Sequence, residues 1–326
     1  MAERFSFDGA LLHGFRAAHA RTFPWSFALA FALISTGLTS VALFLARGTL
    51  FRFFDAAEAL EGQPTPADPW QAITSLFGVL APLVPWLALS SVISWIVWAM
   101  FEAASQRRYI RNEAFSLRFG ADELRMMATG FLWYLMQLVL FIVPILIIVS
   151  SSVGALHSVV DGTLSEREFE RLMLQRAAVV FGLMLILLPV YVFFATRLSP
   201  CFAMTIKDRR IVFRGAWPVS RGRFWPILGA FLLISIVGGM AVGLISSLAQ
   251  ILLLPVMMGS TFVTDEVPDL RDLFTPAFFF AMAAYMFVRF FMTGLLMHYC
   301  DGPAAFAARH DPAGGVDDTE KIATFD

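Results

Sequence analysis

The sequence predicts an all-α fold, a polytopic integral membrane helix bundle of six transmembrane helices, and three observations carry that expectation. Hydrophobic residues make up 58% of the 326 and charged residues only 15%, with a mean hydropathy of +0.72. Water-soluble domains carry about a quarter charged residues. The apolar residues are also segregated into long uncharged runs, and arginine gathers in alternate connections between them. This pattern excludes intrinsic disorder, a small disulfide scaffold and a nucleic-acid-binding body. Net charge is −1, so any attraction to anionic partners must come from local clusters.

A hydrocarbon core of about 30 Å takes about 20 residues of helix, the one single-segment structure that satisfies its own backbone polar groups there. Six runs qualify, at about 25–46, 70–100, 127–150, 176–196, 226–254 and 276–299, followed by a polar tail over 301–326. Trp25–Ala46 is too long for a signal-peptide core and reads as a retained span. Asp68 and Pro69 open the second run as N-cap and first helical residue, and Ser165 with Glu168 forms a capping box ahead of the fourth. Thr275 and Pro276 repeat the cap-and-proline pattern at the sixth. Interior prolines (Pro82, Pro85, Pro144, Pro189) are expected to bend helices two, three and four. The uncharged stretch from Phe224 to Thr264 is long enough for one tilted span or for a tight hairpin turning at Gly238-Gly239, with one span favoured. Trp25, Trp70, Trp217, Trp225 and Tyr299 stand at span ends, where amphipathic rings anchor a helix at the membrane–water interface.

Orientation follows from Lys and Arg between spans. The N-terminal segment, the second-to-third and fourth-to-fifth connections and the tail hold 17 of the 24, the alternate connections 6. Both termini are therefore expected in the cytoplasm of a bacterial cell, with the protein multi-pass in the inner (plasma) membrane. The outer connections are short and acidic. Phe7, Leu11, Leu12 and Phe15 repeat at near-helical spacing with His13, Arg16 and His19 between them, which suits a helix lying in the headgroup region. One basic cytoplasmic hairpin carries Arg107, Arg108, Arg111 and Arg118; the other carries Lys207, Arg209, Arg210, Arg214, Arg221 and Arg223. Such residues set topology and secondarily attract anionic headgroups.

The second hairpin runs from Arg197 and Pro200 to Ala216-Trp217-Pro218-Val219-Ser220-Arg221-Gly222-Arg223-Phe224-Trp225. Over this stretch of about thirty residues the chain resembles the membrane domain of bacterial glycerophosphodiester phosphodiesterases and related six-helix bacterial membrane proteins. Trp217, Ser220, Arg221, Gly222 and Trp225 match that pattern; Ala216 and Pro218 depart from it. The resemblance implies a six-helix inner-membrane fold. The family's hydrolase activity belongs to a separate soluble barrel, for which this chain has no residues.

No catalytic motif is present: no H-E-x-x-H, nucleophile elbow, P-loop or dinucleotide fingerprint. The span interiors, as delimited above, hold no Asp, Glu or Lys. Cys201 and Cys300 lack metal-ligand spacing, and no metal or cofactor is expected. The residue that breaks membrane economy is Arg289, thirteen residues into the sixth span, with Gln137, Gln250, Ser94 and Ser246 as candidate partners. Its insertion costs on the order of 3 kcal/mol, and its role is either structural or that of an anion or lipid site. The expected function is a non-catalytic inner-membrane protein that interacts with membrane lipids, anionic ones included, or organises a membrane protein partner. Arg289, Arg197, Arg214, Arg221 and Arg223 are the candidate anion or lipid contacts. The alternative is a small-anion or lipid-like solute transporter or channel. A membrane-embedded hydrolase would require polar groups converging within hydrogen-bond reach.

Overall fold

The computed structural model describes residues 5–61, 69–160, 166–258 and 275–314, and among them there is no strand. The helices are α1 (Phe7–Arg16), α2 (Phe23–Glu61), α3 (Pro69–Leu80), α4 (Val84–Arg111), α5 (Ala121–Val160), α6 (Glu166–Leu198), α7 (Cys201–Asp208), α8 (Ala216–Val219), α9 (Phe224–Met258) and α10 (Pro276–Arg309). Six helical stretches are long and apolar enough to cross a membrane: Phe23–Ala59, Phe77–Arg111, Ala121–Ile148, Arg171–Asp208, Phe224–Val256 and Pro276–Arg309. Their outward faces are greasy. Leu252 is 77% exposed and Ile186 68% exposed, a surface that only a hydrocarbon surround makes economical.

Local chemistry sets the ends. Thr275 caps α10 by accepting from the Phe278 N–H at 3.1 Å, with Pro276 at the first position as expected. Ser6 caps α1 in the same way through Gly9 at 3.0 Å. Pro82 interrupts the second span in a single 3-10 turn over Ala81–Leu83, which separates α3 from α4. Pro144, Pro189 and Pro255 lie inside continuous helices. The stretch after Phe224 is one helix, since α9 passes through Gly238-Gly239 without a turn. The proposed caps at Asp68 and Ser165, and the acidic residues 265–272, lie outside the described residues.

Two helices continue past the spans that the sequence delimits. The second span is not followed by a basic loop at residue 102, because α4 continues to Arg111 and ends at Asn112, whose φ of 55° leaves the helix. The sixth helix likewise runs on to Arg309, past the span's end at 299, with Gly302–Ala308 buried. In both places the charged residues are absorbed by polar packing, which a hydropathy reading scores as the end of a span.

The chain divides into two compact units. One comprises Leu45–Val92 and Phe131–Ala195. Within it Gln137 donates to the Tyr191 hydroxyl at 2.8 Å, and the Tyr191 ring packs on Phe141 at 5.6 Å. The other comprises Met1–Phe44, Ile93–Gly130 and Thr196–Asp326, and it holds the buried core. There α10 lies along α9, and α1 packs against both. Helices in lipid gain no hydrophobic drive from each other, so close backbone approach matters. A Cβ on Gly294 would meet the Ala28 backbone at 3.1 Å, and one on Gly302 would meet the Gly14 nitrogen at 3.3 Å. Phe23, Phe27 and Phe101 form an aromatic layer at the base of α2 and α4.

Candidate functional site

The last three turns of α4 carry Glu102, Ser105, Gln106, Arg107, Arg108 and Tyr109, and all six are buried. Ser105, Arg107, Arg108 and Tyr109 are bonded to groups that neighbouring segments of the same unit bring in. Arg107 makes an ion pair with Glu123 in the first turn of α5 and donates to the Ser116 carbonyl at 3.1 Å. Glu123 also caps its own helix by accepting from the Gly120 N–H at 2.9 Å. Arg111 is paired with Asp122 at 2.7 Å and donates to the Ile206 carbonyl at 2.6 Å, which ties α4 to α5 and α7.

Arg108 is completely buried and donates to the carbonyls of Gly14 (2.9 Å), Ala18 (2.8 Å) and Ala17 (3.4 Å) and to His298 Nε2. A guanidinium only donates, so Nε2 must accept and the imidazole carries its proton on Nδ1. Nδ1 then donates to Ser105 Oγ at 2.8 Å. The Asp301 carboxyl lies beside Ser105. Tyr109 stacks on His298 with ring centroids 5.0 Å apart and donates to its carbonyl at 2.9 Å. The Gly14–Gly302 approach makes this layer possible, because it brings the α1 carbonyls within reach of Arg108.

Ser105, His298 and Asp301 thus converge as a hydrolase would require, but the proton order is reversed. A serine nucleophile needs an imidazole lone pair facing it. Here that lone pair is taken by Arg108, and the serine faces an N–H. The layer can hold helices in register; it cannot activate Ser105 in this arrangement. Beside it, Glu102 accepts from Gln106 at 2.9 Å, while Asp301 Oδ2 and Gln106 Oε1 are buried without a hydrogen-bond partner. Both carboxylates lie just past the spans that the sequence delimits, in helix ends that it assigns to connections.

The second basic hairpin folds into a knot around Arg197. This side chain donates to the Ser220 carbonyl at 2.9 Å and stands 5.6 Å from the ring centres of both Trp217 and Phe224. Ser220 returns a bond to the Arg197 carbonyl at 2.8 Å. Gly222 has φ of 75°, the left-handed conformation that starts α9 cleanly. Arg223 donates to the His310 carbonyl at 2.5 Å and lies over Phe5. Burial pushes its guanidinium down from the ordinary value, and Asp311 pulls it back up. Arg214 and Arg221 are exposed.

Arg289 does not join them. It is exposed on α10 about 30 Å of helix rise from His310, and it donates to the Tyr285 hydroxyl at 3.3 Å, one turn back, not to Gln137, Gln250, Ser94 or Ser246. Of the ring anchors, Trp25 and Trp225 are 60% and 76% exposed, Trp217 covers Arg197, Trp70 is the second residue of α3, and Tyr299 stacks on Phe15 at 4.5 Å. Cys201 and Cys300 are free thiols.

Two cavities flank α1. One, of about 390 Å³, is an apolar groove between α1, α9 and α10, lined by residues that include Leu12, Phe15, Val237, Ala241, Leu296 and Tyr299. The other, of about 250 Å³, is polar and lies where α1, α4 and α10 end; it is lined by His13, Arg16, Ala17, Ala18, Asn112, Phe306, Arg309 and His310. Sequence reasoning missed the buried layer because arginine beside a span reads first as a topology signal. The available clue was Glu102, a carboxylate placed before the arginines on what continues as one helical face. Compared with family models, with curated proteins and with solved structures, the chain matches none.

Proposed function

We propose that this chain is a non-catalytic multi-pass protein of a bacterial inner membrane, with its termini and arginine-rich hairpins in the cytoplasm, that holds a membrane lipid in the groove between α1, α9 and α10. The groove itself is the observation that carries the reading: a cavity of about 390 Å³ walled by aliphatic and aromatic side chains, with one phenol, Tyr299, at its edge. An acyl chain gains no hydrophobic energy on leaving one apolar medium for another, so retention must come from shape and from polar groups at the ends of the groove. Such groups are in place. Arg289, Met292, Leu296 and Tyr299 share one face of α10 by their i, i+3, i+7, i+10 spacing, and Arg289 lies about 4.5 Å of rise beyond Met292. A lipid anion reaching Arg289 would offset the cost of a cation exposed at that depth.

The resemblance of residues 216–225 to the membrane domain of glycerophosphodiester phosphodiesterases supports the six-helix inner-membrane part of this reading. A solute transporter is the second reading, favoured by Glu102 and Asp301, buried carboxylates of the kind that couple transport to protons or cations. The test is native mass spectrometry of protein released from lipid nanodiscs. Wild type should retain lipid, and Ala241→Trp, which fills the groove, should lose most of it. Equal retention by the two proteins would refute the groove as the lipid site.

A further inference from the structure

The groove reading leaves two acids unused. Glu102 is buried, and so is the Oδ2 atom of Asp301. Glu102, Ser105 and Gln106 share one face of α4 by their i, i+3, i+4 spacing, and His298 and Asp301 share one face of α10. The bond between His298 Nδ1 and Ser105 at 2.8 Å brings the two faces together. Asp301 stands beside Ser105, near enough to Glu102 for the two carboxyl groups to repel each other. We infer that Glu102, Asp301 and Gln106 form a binding site for a hard divalent cation, magnesium or calcium, between α4 and α10.

Three arginines follow Glu102 on the same helix, and none answers it. Arg107 is paired with Glu123, Arg111 with Asp122, and Arg108 donates to backbone carbonyls and to His298. Among the described residues neither Glu102 nor Asp301 has an ion-pair partner. The other titratable groups that feel their charge are the thiols of Cys201 and Cys300 and the phenol of Tyr109, none of them cationic. Two buried acids facing each other without a counter-charge are costly, and a cation between them removes both the repulsion and the lost hydration. A neutral group points the same way. Gln106 is 2% exposed, and while its Nε2 donates to Glu102 at 2.9 Å, its Oε1 has no donor. Asp301 Oδ2 has none either. One proton joins two oxygens, whereas a metal ion draws several at once, here from three side chains.

The donors decide the class of cation. Carboxylate and amide oxygens are the ligands that hard cations take. Two carboxylates match the charge of a divalent ion, and a monovalent one would leave a buried charge unanswered. Among the described residues no three His, Cys, Asp or Glu side chains are grouped to hold a metal, which disfavours a thiolate- or imidazole-bound transition metal, and the Cys300 thiol is turned to Ser235 at 3.6 Å. Three side chains supply only part of the roughly 6–8 oxygens that calcium takes, or of the octahedron that magnesium takes, and water completes either set. Asp301 as a whole is half-buried, which gives the ion and its water a way in.

The test uses the full-length protein in phosphatidylcholine nanodiscs, stripped with EDTA and titrated separately with magnesium, calcium and sodium chlorides. Binding is followed by isothermal titration calorimetry after subtraction of empty nanodiscs, and folding by the thermal melt. Wild type should bind one divalent ion with a Kd on the order of 10⁻⁴ M, the tighter of magnesium and calcium naming the ion, and sodium should bind about 10-fold more weakly or worse. Asp301→Asn and Glu102→Gln keep the side-chain shape, and each should weaken that binding by about 10-fold or more. Without metal neither variant should melt below wild type, because the repulsion is gone. Asp8→Asn, at an exposed acid on α1, should stay within about 2-fold of wild-type affinity. The proposal is overturned if wild type binds neither divalent ion, if sodium binds as tightly, if the folded amide variants bind as wild type does, or if Asp8→Asn weakens binding as much. Ala241→Trp should not alter cation binding, so failure of the groove reading and failure of this one are separable.

Discussion

Arg108 and His298, 190 residues apart in the chain, meet inside the protein with the guanidinium donating to the imidazole Nε2, and every other hydrogen bond of Arg108 goes to the N-terminal segment. This one contact joins α4, α10 and the end of α1. Replacing His298 with Leu strands the buried Arg108 donor and the Ser105 hydroxyl, at a cost of about 3 kcal/mol. Thermal unfolding in detergent should fall by about 5 °C or more. A fall under about 2 °C would show that the layer contributes little to holding the helices.

Gly294 and Gly37 make a matched contrast in spanning helices. A side chain at Gly294 runs into the Ala28 backbone at 3.1 Å, whereas nothing lies within 4 Å of a Cβ at Gly37. Gly294→Val should therefore destabilise by about 2 kcal/mol, and Gly37→Ala should be neutral or slightly stabilising. The two melting temperatures check this. Equal effects would mean that α10 and α2 do not pack through Gly294.

Sidedness rests on the arginine count alone and calls for chemistry on cells. A cysteine placed at Arg210, an exposed position, should resist a membrane-impermeant maleimide in intact cells and react after permeabilisation. Labelling of intact cells would put the basic hairpins outside and reverse the proposed orientation.

The six spans were legible because uncharged runs of 20 or more residues have one physical solution in a bilayer, and Thr275-Pro276 marked a helix start that the structure keeps. What the sequence could not reveal was where the polar ends stop being surface. Arg107 and Arg108 look alike beside Arg111, yet the first two are buried and the third is not, because Glu123, His298 and the α1 carbonyls arrive from distant segments. A hydropathy window has no means of pairing residues across such distances. Arg289 is legible as an exception, and its partner is not: the phenol lies one turn away on its own helix, not among the polar groups of other helices. The five candidate arginines share a chemistry but not a place.

The lipid groove is tested most directly by photocrosslinking in nanodiscs with a phospholipid that carries a diazirine on its acyl chain. The account predicts label concentrated in peptides covering 233–242 and 292–299, lost in Ala241→Trp. Label spread evenly over the greasy outer faces, such as those around Val139, Phe181 and Leu252, with no enrichment at the groove, would contradict it.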